Sequence, residues 1–410
     1  MQTLKLTKKY EHYPEYKDSG VEWLGMIPKD WELAKVKEVF NLIKEKSFDN
    51  SEADVLSLTL SGIKKRNISN NEGQIASSYE GYRHIYKGDI VLNPMDLLRG
   101  FVDASKYEGI ISPAYSTLRK KDFDTNSQFY NYFFQKHYFE KIFHPYGVGV
   151  SADHRWTLKN EILMNFPVIK IPTDKQNEIV KYLDHKLAFI DHIIAKKERQ
   201  IELLKEEVVS IAMDEQKNGK GEIIRIKNLF NFAEKPINIE DNSEYIALGL
   251  YNRGRGLFHK DPQLGKEIKE SDFYIVVPRD LIISGQFAWE GAVALASKDE
   301  SECVVSHRYH LIRDGVIKTE YLLALLMTKF GDHLLNESSR GSAGRNKPLN
   351  IKILLSEKIR VPSKDVEEKI ESLLKKMNLV RSNIKTSIKL LEEYKYSLIS
   401  HAVTGKIKIN

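Results

Sequence analysis

Two short basic stretches carry the side chains best suited to grip a polyanion. Ser61-Gly-Ile-Lys-Lys-Arg-Asn67 offers Lys64, Lys65, Arg66 and Asn67; Tyr251-Asn-Arg-Gly-Arg-Gly256 offers Asn252, Arg253 and Arg255. Lysine and arginine neutralise phosphates, arginine forks onto guanine edges, and asparagine matches adenine. A second glycine-bearing pair supplies His154 and Arg155 in the first half of the chain, and Arg340, Arg345, Asn346 and Lys347 in the second. Arg83, beside Tyr79 and Tyr82, and Arg308 are further candidates for nucleic-acid contact. The plainer reading of all these stretches is a solvated turn.

No bond-breaking constellation accompanies them. An amino-methyltransferase needs an Asn/Asp-Pro-Pro-aromatic loop. Asn93-Pro-Met-Asp96 comes nearest, but it lacks the second proline and the ring and reads as a turn after a strand. A Gly-x4-Gly-Lys-Ser/Thr phosphate loop is missing. Gly254-Arg-Gly256 starts like a dinucleotide fingerprint, yet His259 stands where the third glycine belongs. None of the 12 histidines forms a His-Glu-x-x-His pair. His307 and His310 fall on the run 305–312, which reads as one strand and sends them to opposite faces. The single cysteine, Cys303, permits neither an intramolecular disulfide nor a cysteine zinc site.

The elements that position the basic stretches are duplicated. Glu32-Leu-Ala-Lys-Val-Lys-Glu-Val-Phe40 matches Glu222-Ile-Ile-Arg-Ile-Lys-Asn-Leu-Phe230, and the runs 55–58 and 87–92 match 245–248 and 278–283 at nearly the same offset. Ser151-Ala152 faces Ser342-Ala343, and the proline-ended runs 166–172 and 357–362 follow in the same order. Several ordered matches at a nearly constant offset mark an internal repeat. In each repeat, short β-branched and aromatic runs (89–92, 168–171, 274–277, 281–283) read as strands, while 129–139 and 321–335 read as helical patches. That mixture is α+β.

Each repeat then runs into a long helix. Ile179, Leu183, Leu187, Ile190, Ile194, Ile201, Leu204, Val208 and Ile211 recur in threes and fours, with Lys197 in the gap. Ile370, Leu373, Met377, Val380, Ile384, Leu391, Tyr394 and Leu398 repeat the pattern, with Ser387 in the gap. This is a heptad seam, and such a stripe needs a partner. The expected partner is the other helix, packed antiparallel as a coiled coil; two helices each packed on its own globular part is the alternative.

With 410 residues, 63 basic against 57 acidic side chains and a net charge of +6, the chain is an ordinary globular sequence of two or three domains. It has no apolar run of membrane-spanning length and no signal-peptide core near Met1, which points to the cytoplasm.

Three segments resemble a known family, the specificity subunits of type I restriction–modification systems. They are Glu15-Tyr-Lys-Asp-Ser-Gly-Val-Glu-Trp-Leu-Gly-Met-Ile-Pro-Lys-Asp-Trp31, Pro172-Thr-Asp-Lys-Gln-Asn-Glu-Ile179, and Leu398-Ile-Ser-His-Ala-Val-Thr-Gly-Lys406. Pro362-Ser-Lys-Asp-Val-Glu-Glu departs from the second by lacking the usual glutamine. The resemblance covers nearly the whole chain. It implies a target-recognition domain over 1–172, a spacer helix over 173–218, a second recognition domain over 219–362, and a spacer helix with tail over 363–410. It further implies double-stranded DNA with a bipartite site, two docked methyltransferase (modification) subunits and associated restriction subunits. S-adenosylmethionine, ATP and Mg would be bound by those partners and no cofactor by this chain. A coiled-coil interaction scaffold and a stand-alone DNA-modifying enzyme are the competing functions.

Overall fold

The computed structural model describes residues 10–44, 46, 54–66, 79–149, 156–232, 236–252, 254–268, 271–339 and 347–409. The chain divides into two compact units, one formed by residues 1–194 with 387–410 and the other by 195–386. Both are α+β, and the duplication reappears in their sheet topology.

In the first unit one antiparallel sheet runs Phe40–Leu42, Ser116–Lys120, Ile90–Leu92, Val102–Ala104 in spatial order. The second unit repeats this order with Asn231–Phe232, Tyr309–Arg313, Leu281–Ser284 and Val293–Leu295. The central strands, Ile90–Leu92 and Leu281–Ser284, are buried throughout. This explains why they read as unbroken apolar runs without alternation. A second sheet of the first unit runs Gly62–Lys65, Val55–Thr59, Gly109–Ile111, Arg83–Ile85, with its middle pair parallel. Its counterpart consists of two antiparallel pairs, the hairpin Leu248–Leu250 with Leu257–His259 and the long-range pair Phe273–Ile275 with Val304–Ser306. A parallel bridge from Ala247 to Val304 joins them.

The same buried ion pair opens each central strand. Asp89 accepts two bonds from Arg119, at 2.9 and 2.7 Å, and one from the Tyr86 amide at 2.9 Å. Asp280 accepts two from Arg313, at 2.9 and 3.2 Å, and one from the Val277 amide at 3.0 Å. The residue before each aspartate is left-handed, Gly88 at φ 90° and Arg279 at φ 76°. Glycine takes that conformation freely, whereas for arginine it costs on the order of 1–2 kcal/mol. Arg279 is held there by Asp314, Glu320 and Glu371, which together engage its guanidinium.

Each long helix begins where a two-stranded ribbon closes its repeat. Glu32–Lys35 pairs with Pro167–Lys170 ahead of helix Thr173–Asn218, and Ile223–Arg225 pairs with Lys358–Arg360 ahead of helix Lys364–Val403. Inside each unit the two helical stretches run antiparallel. In the first unit Lys175 Nζ donates to the Ile409 carbonyl oxygen and Lys395 pairs with Asp191 at 2.5 Å. In the second, Glu215 accepts from the Ser363 amide and Gln216 from the Arg360 amide. The seam residues Ile179, Leu183, Leu187, Ile190, Leu391 and Leu398 are buried in the first unit, as are Val208, Ile370, Met377 and Ile384 in the second. Leu374 is buried more deeply than the expected Leu373.

Two elements expected to be continuous are broken. The patch 321–335 is two helices, Thr319–Leu326 and Lys329–Glu337. Gly331 lies so close to the preceding helix that a Cβ would stand 2.3 Å from the Leu325 carbonyl oxygen, and Thr328 caps the new start by accepting from the Gly331 amide. The run 305–312 is two strands separated by a turn at His307 and Arg308, so the two histidines share no strand.

Two stability outcomes follow. Arg313→Met strands Asp280, only 1% exposed, and should cost about 3 kcal/mol, the low end for a broken buried pair because the arginine is partly exposed. Adding Asp280→Asn should recover much of that loss in urea titrations. Hydrogen bonds from Lys318 and Lys375 hold the Glu371 carboxyl down to about 2 from its ordinary 4.5. A depressed carboxyl contributes stability above about pH 4.5 that is lost as pH falls toward 2. Glu320, raised chiefly by burial, acts with the opposite sign. Glu371→Gln should therefore flatten the acid limb of the stability–pH curve.

Candidate nucleic-acid interface

In the second unit the chain leaves the central strand through residues 285–291, and three distant segments fasten to this loop. The Gly254 amide donates to the Gly291 carbonyl oxygen at 2.8 Å, and Asn252 Nδ2 donates to the Glu290 carboxylate. The Gly285 amide donates to the Arg308 carbonyl oxygen at 2.7 Å, and the Leu349 amide to that of Gly285 at 2.8 Å. Asn252, Arg255, Arg308 and Lys347 are thereby gathered around one loop. Arg253, Arg340, Arg345 and Asn346 lie outside the described residues.

Aromatic rings support the cations. Arg255 donates from Nε to the Asn252 carbonyl oxygen and lies 5.2 Å over the Tyr251 ring. Lys347 Nζ sits 5.3 Å over Trp289. Phe287, 44% exposed, adds an apolar surface beside them, and Arg308 projects from its turn. Gly254 and Gly256 are left-handed, at φ 63° and 100°. A Cβ on Gly256 would stand 3.9 Å from Arg381 Nη1, so the long helix adds a cation that its heptad pattern concealed. Burial lowers the pKa of Arg381, with Glu202 opposing the shift. Trp289 and Phe287 also escaped sequence reading, because they sit in an apolar run with no basic neighbour.

The first unit presents its candidates differently. Lys64 is exposed on strand Gly62–Lys65; Lys65 is paired with Asp54 at 2.5 Å and lies 5.7 Å over Tyr107. The hairpin is seated by the Ile63 amide, which donates to Asp103 at 2.8 Å, and Gly62 is required there because a Cβ would meet Asp103 at 2.5 Å. Arg83 is half-buried, donates to the Tyr115 carbonyl oxygen at 2.5 Å, and has its pKa lowered by burial. Burial pushes the Tyr115 hydroxyl up, with the Arg66 charge opposing the shift and Tyr82 adding to it. Asn67, His154 and Arg155 lie outside the described residues.

The counterpart of loop 285–291 is 93–100. It is fastened alike, by the Leu158 amide to the Pro94 carbonyl oxygen at 2.8 Å, and it exposes Met95, Leu98 and Arg99. Asn93 accepts from the Met95 amide, so Asn93-Pro-Met-Asp96 is the turn its residues suggested.

These surfaces offer cations, amides and rings. Among the described residues no group of three or more His, Cys, Asp or Glu side chains could hold a metal ion. The Cys303 thiol is buried and pushed up by desolvation and then by Glu300, opposite to what a nucleophile needs. No helix among the described residues is long and apolar enough to cross a membrane.

No family model matches the chain. A type I restriction enzyme specificity subunit from Methanocaldococcus jannaschii is 29% identical over 236 residues, spanning 52% of this chain. The chain spans about half, 51%, of that relative's length. Among solved structures, a chain from work on complex assembly and conformational transition of the type I R-M system superposes with a TM-score of 0.57 at 12% identity, covering 92% of this chain and 98% of that one. The HsdS subunit from Thermoanaerobacter tengcongensis gives 0.44 at 12% identity, covering 93% and 98%. The likeness to a type I specificity subunit, expected from three sequence segments, is thus present in sequence over half the chain, and the fold likeness to a chain of the type I R-M system extends over nearly all of it.

Arg255 and Lys347 stand on rings, whereas Arg83 is tied to backbone. Alanine at Arg255 or Lys347 should weaken duplex binding and, for a phosphate contact, reduce the slope of log affinity against log salt by roughly 1. Arg83→Ala should lower thermal stability and leave that slope unchanged.

Proposed function

We propose that this chain is the non-catalytic, DNA-reading subunit of a type I restriction–modification system, each unit reading one half of a bipartite duplex site. The observation that carries the reading is the recurrence of one sheet topology in both units, with a basic, glycine-bearing segment in a hairpin of each, on the second strand at 62–66 in the first and in the turn at 251–256 in the second. The sequence likeness to a specificity subunit supports it. On this reading 1–172 and 219–362 are target-recognition domains, and 173–218 and 363–410 are spacer helices that also dock two modification subunits. Restriction subunits join that core. S-adenosylmethionine, ATP and Mg belong to the partners, and the assembly works on DNA in the cytoplasm. Phosphate contacts supply affinity and orientation, and base-edge contacts supply sequence choice.

Methylation mapping of DNA exposed to the full assembly tests this. Modified adenines should fall in a split motif, and alanine at Lys64, Lys65 and Arg66 should relax or weaken only one half of it. The purified chain alone should transfer no methyl group and hydrolyse no ATP. Activity retained without partners, or a motif with one uninterrupted half, would overturn the reading.

A further inference from the structure

We infer that Glu290 is a positioning residue that sets Asn252 as an adenine-selective reader in the second unit, an inference that rests on the DNA-reading function proposed above. An asparagine amide can be turned end for end, and in most settings the hydrogen-bond network decides which way it faces. Here the decision is chemical. Asn252 Nδ2 donates to Glu290, and a carboxylate can only accept, so the NH2 end must face it. One N–H and the carbonyl oxygen remain. A donor beside an acceptor complements the N7 acceptor and N6 donor of adenine, whereas guanine offers two acceptors on that edge.

The surroundings favour a reader over a simple latch. The backbone is already fixed on both sides of Asn252, before it by the Tyr251 amide on the Gly256 carbonyl oxygen and after it by Arg255 Nε on the Asn252 carbonyl oxygen and the Gly254 amide on Gly291. A carboxylate on a phosphate-binding face repels the ligand, yet Glu290 forms no ion pair among the described residues, with Arg255 and Lys347 in the same site. Its hydrogen bond goes to the amide. The first unit has no equivalent pair, because the repeat offset, 190 residues at 55–58 against 245–248 and 191 at 87–92 against 278–283, puts Gly62 and Arg99 at these two places. The adenine-selective contact therefore belongs to one half-site only.

Selection of bound duplexes from a randomised pool by the full chain tests the pairing. Wild type should enrich an adenine at one position, and Asn252→Ala should relax that position about tenfold. Glu290→Ala should relax the same position and leave the salt slope of non-specific binding intact, while Glu290→Gln, which can accept from the Asn252 NH2 or donate to its oxygen, should relax it less than Glu290→Ala does. In the double variant N252D/E290Q the glutamine donates to the aspartate, whose remaining edge only accepts, so the preference should move to cytosine. Equal weakening at every position in Glu290→Ala, or an unmoved preference in both Glu290→Ala and the double variant, would overturn the inference while leaving the DNA-reading function standing. A wild-type chain that enriches no motif would instead remove that function.

Discussion

The forked bond between an aspartate and an arginine at the mouth of the central strand governs much of each unit. Asp89 and Asp280 are buried carboxylates that water cannot reach, and an uncompensated charge there would be prohibitive. Arg119 and Arg313 reach them from the neighbouring strand, and the same carboxylates accept the amides that turn the chain into the sheet. The fork thus fixes where the central strand starts relative to its neighbour. Because a strand displaced by one residue turns every side chain over, that start also fixes where the strand ends. Loops 93–100 and 285–291 emerge at that far end. The placement of Arg99 in one unit and of Glu290 in the other therefore descends from an ion pair at the opposite end of a short strand.

The regular parts of this architecture were legible in residues. Long seams of threes and fours have one reading, and proline-ended β-branched runs such as 166–172 have nearly one. The breaks were not legible. Between Tyr321 and Leu335 the apolar run gives way to Thr328, Lys329 and Gly331 to His333 with no proline to mark a stop, and only the contact of Gly331 with the end of helix Thr319–Leu326 shows why the chain must restart. The turn at His307 and Arg308 contains neither glycine nor proline; it exists because the Arg308 carbonyl oxygen receives the Gly285 amide from another part of the unit.

The site was half legible for a related reason. Charge and glycine marked Asn252, Arg255 and Lys347, but nothing local says that they meet around 285–291. Charge also marked Arg83 and could not report its burial. Arg381 stands between the seam residues Val380 and Ile384, and only the close approach of Gly256 makes it a neighbour of the basic loop. What sequence conveys is the inventory of groups; which groups share a surface is set by long-range pairing.

The two units draw on the chain very differently. The second is built from the uninterrupted stretch 195–386, whereas the first needs 387–410 to complete what 1–194 begins. Ile179 and Leu183 share one core with Leu398, Ala402 and Ile407, residues more than 200 positions later. During synthesis from the N-terminus the second unit has all its parts before the first does. The earlier-made unit must therefore wait with an open apolar seam while the later-made one closes, so between the emergence of residue 386 and that of residues 387–410 the nascent chain has a second half that can already pack and a first half still exposed to chaperones and proteases.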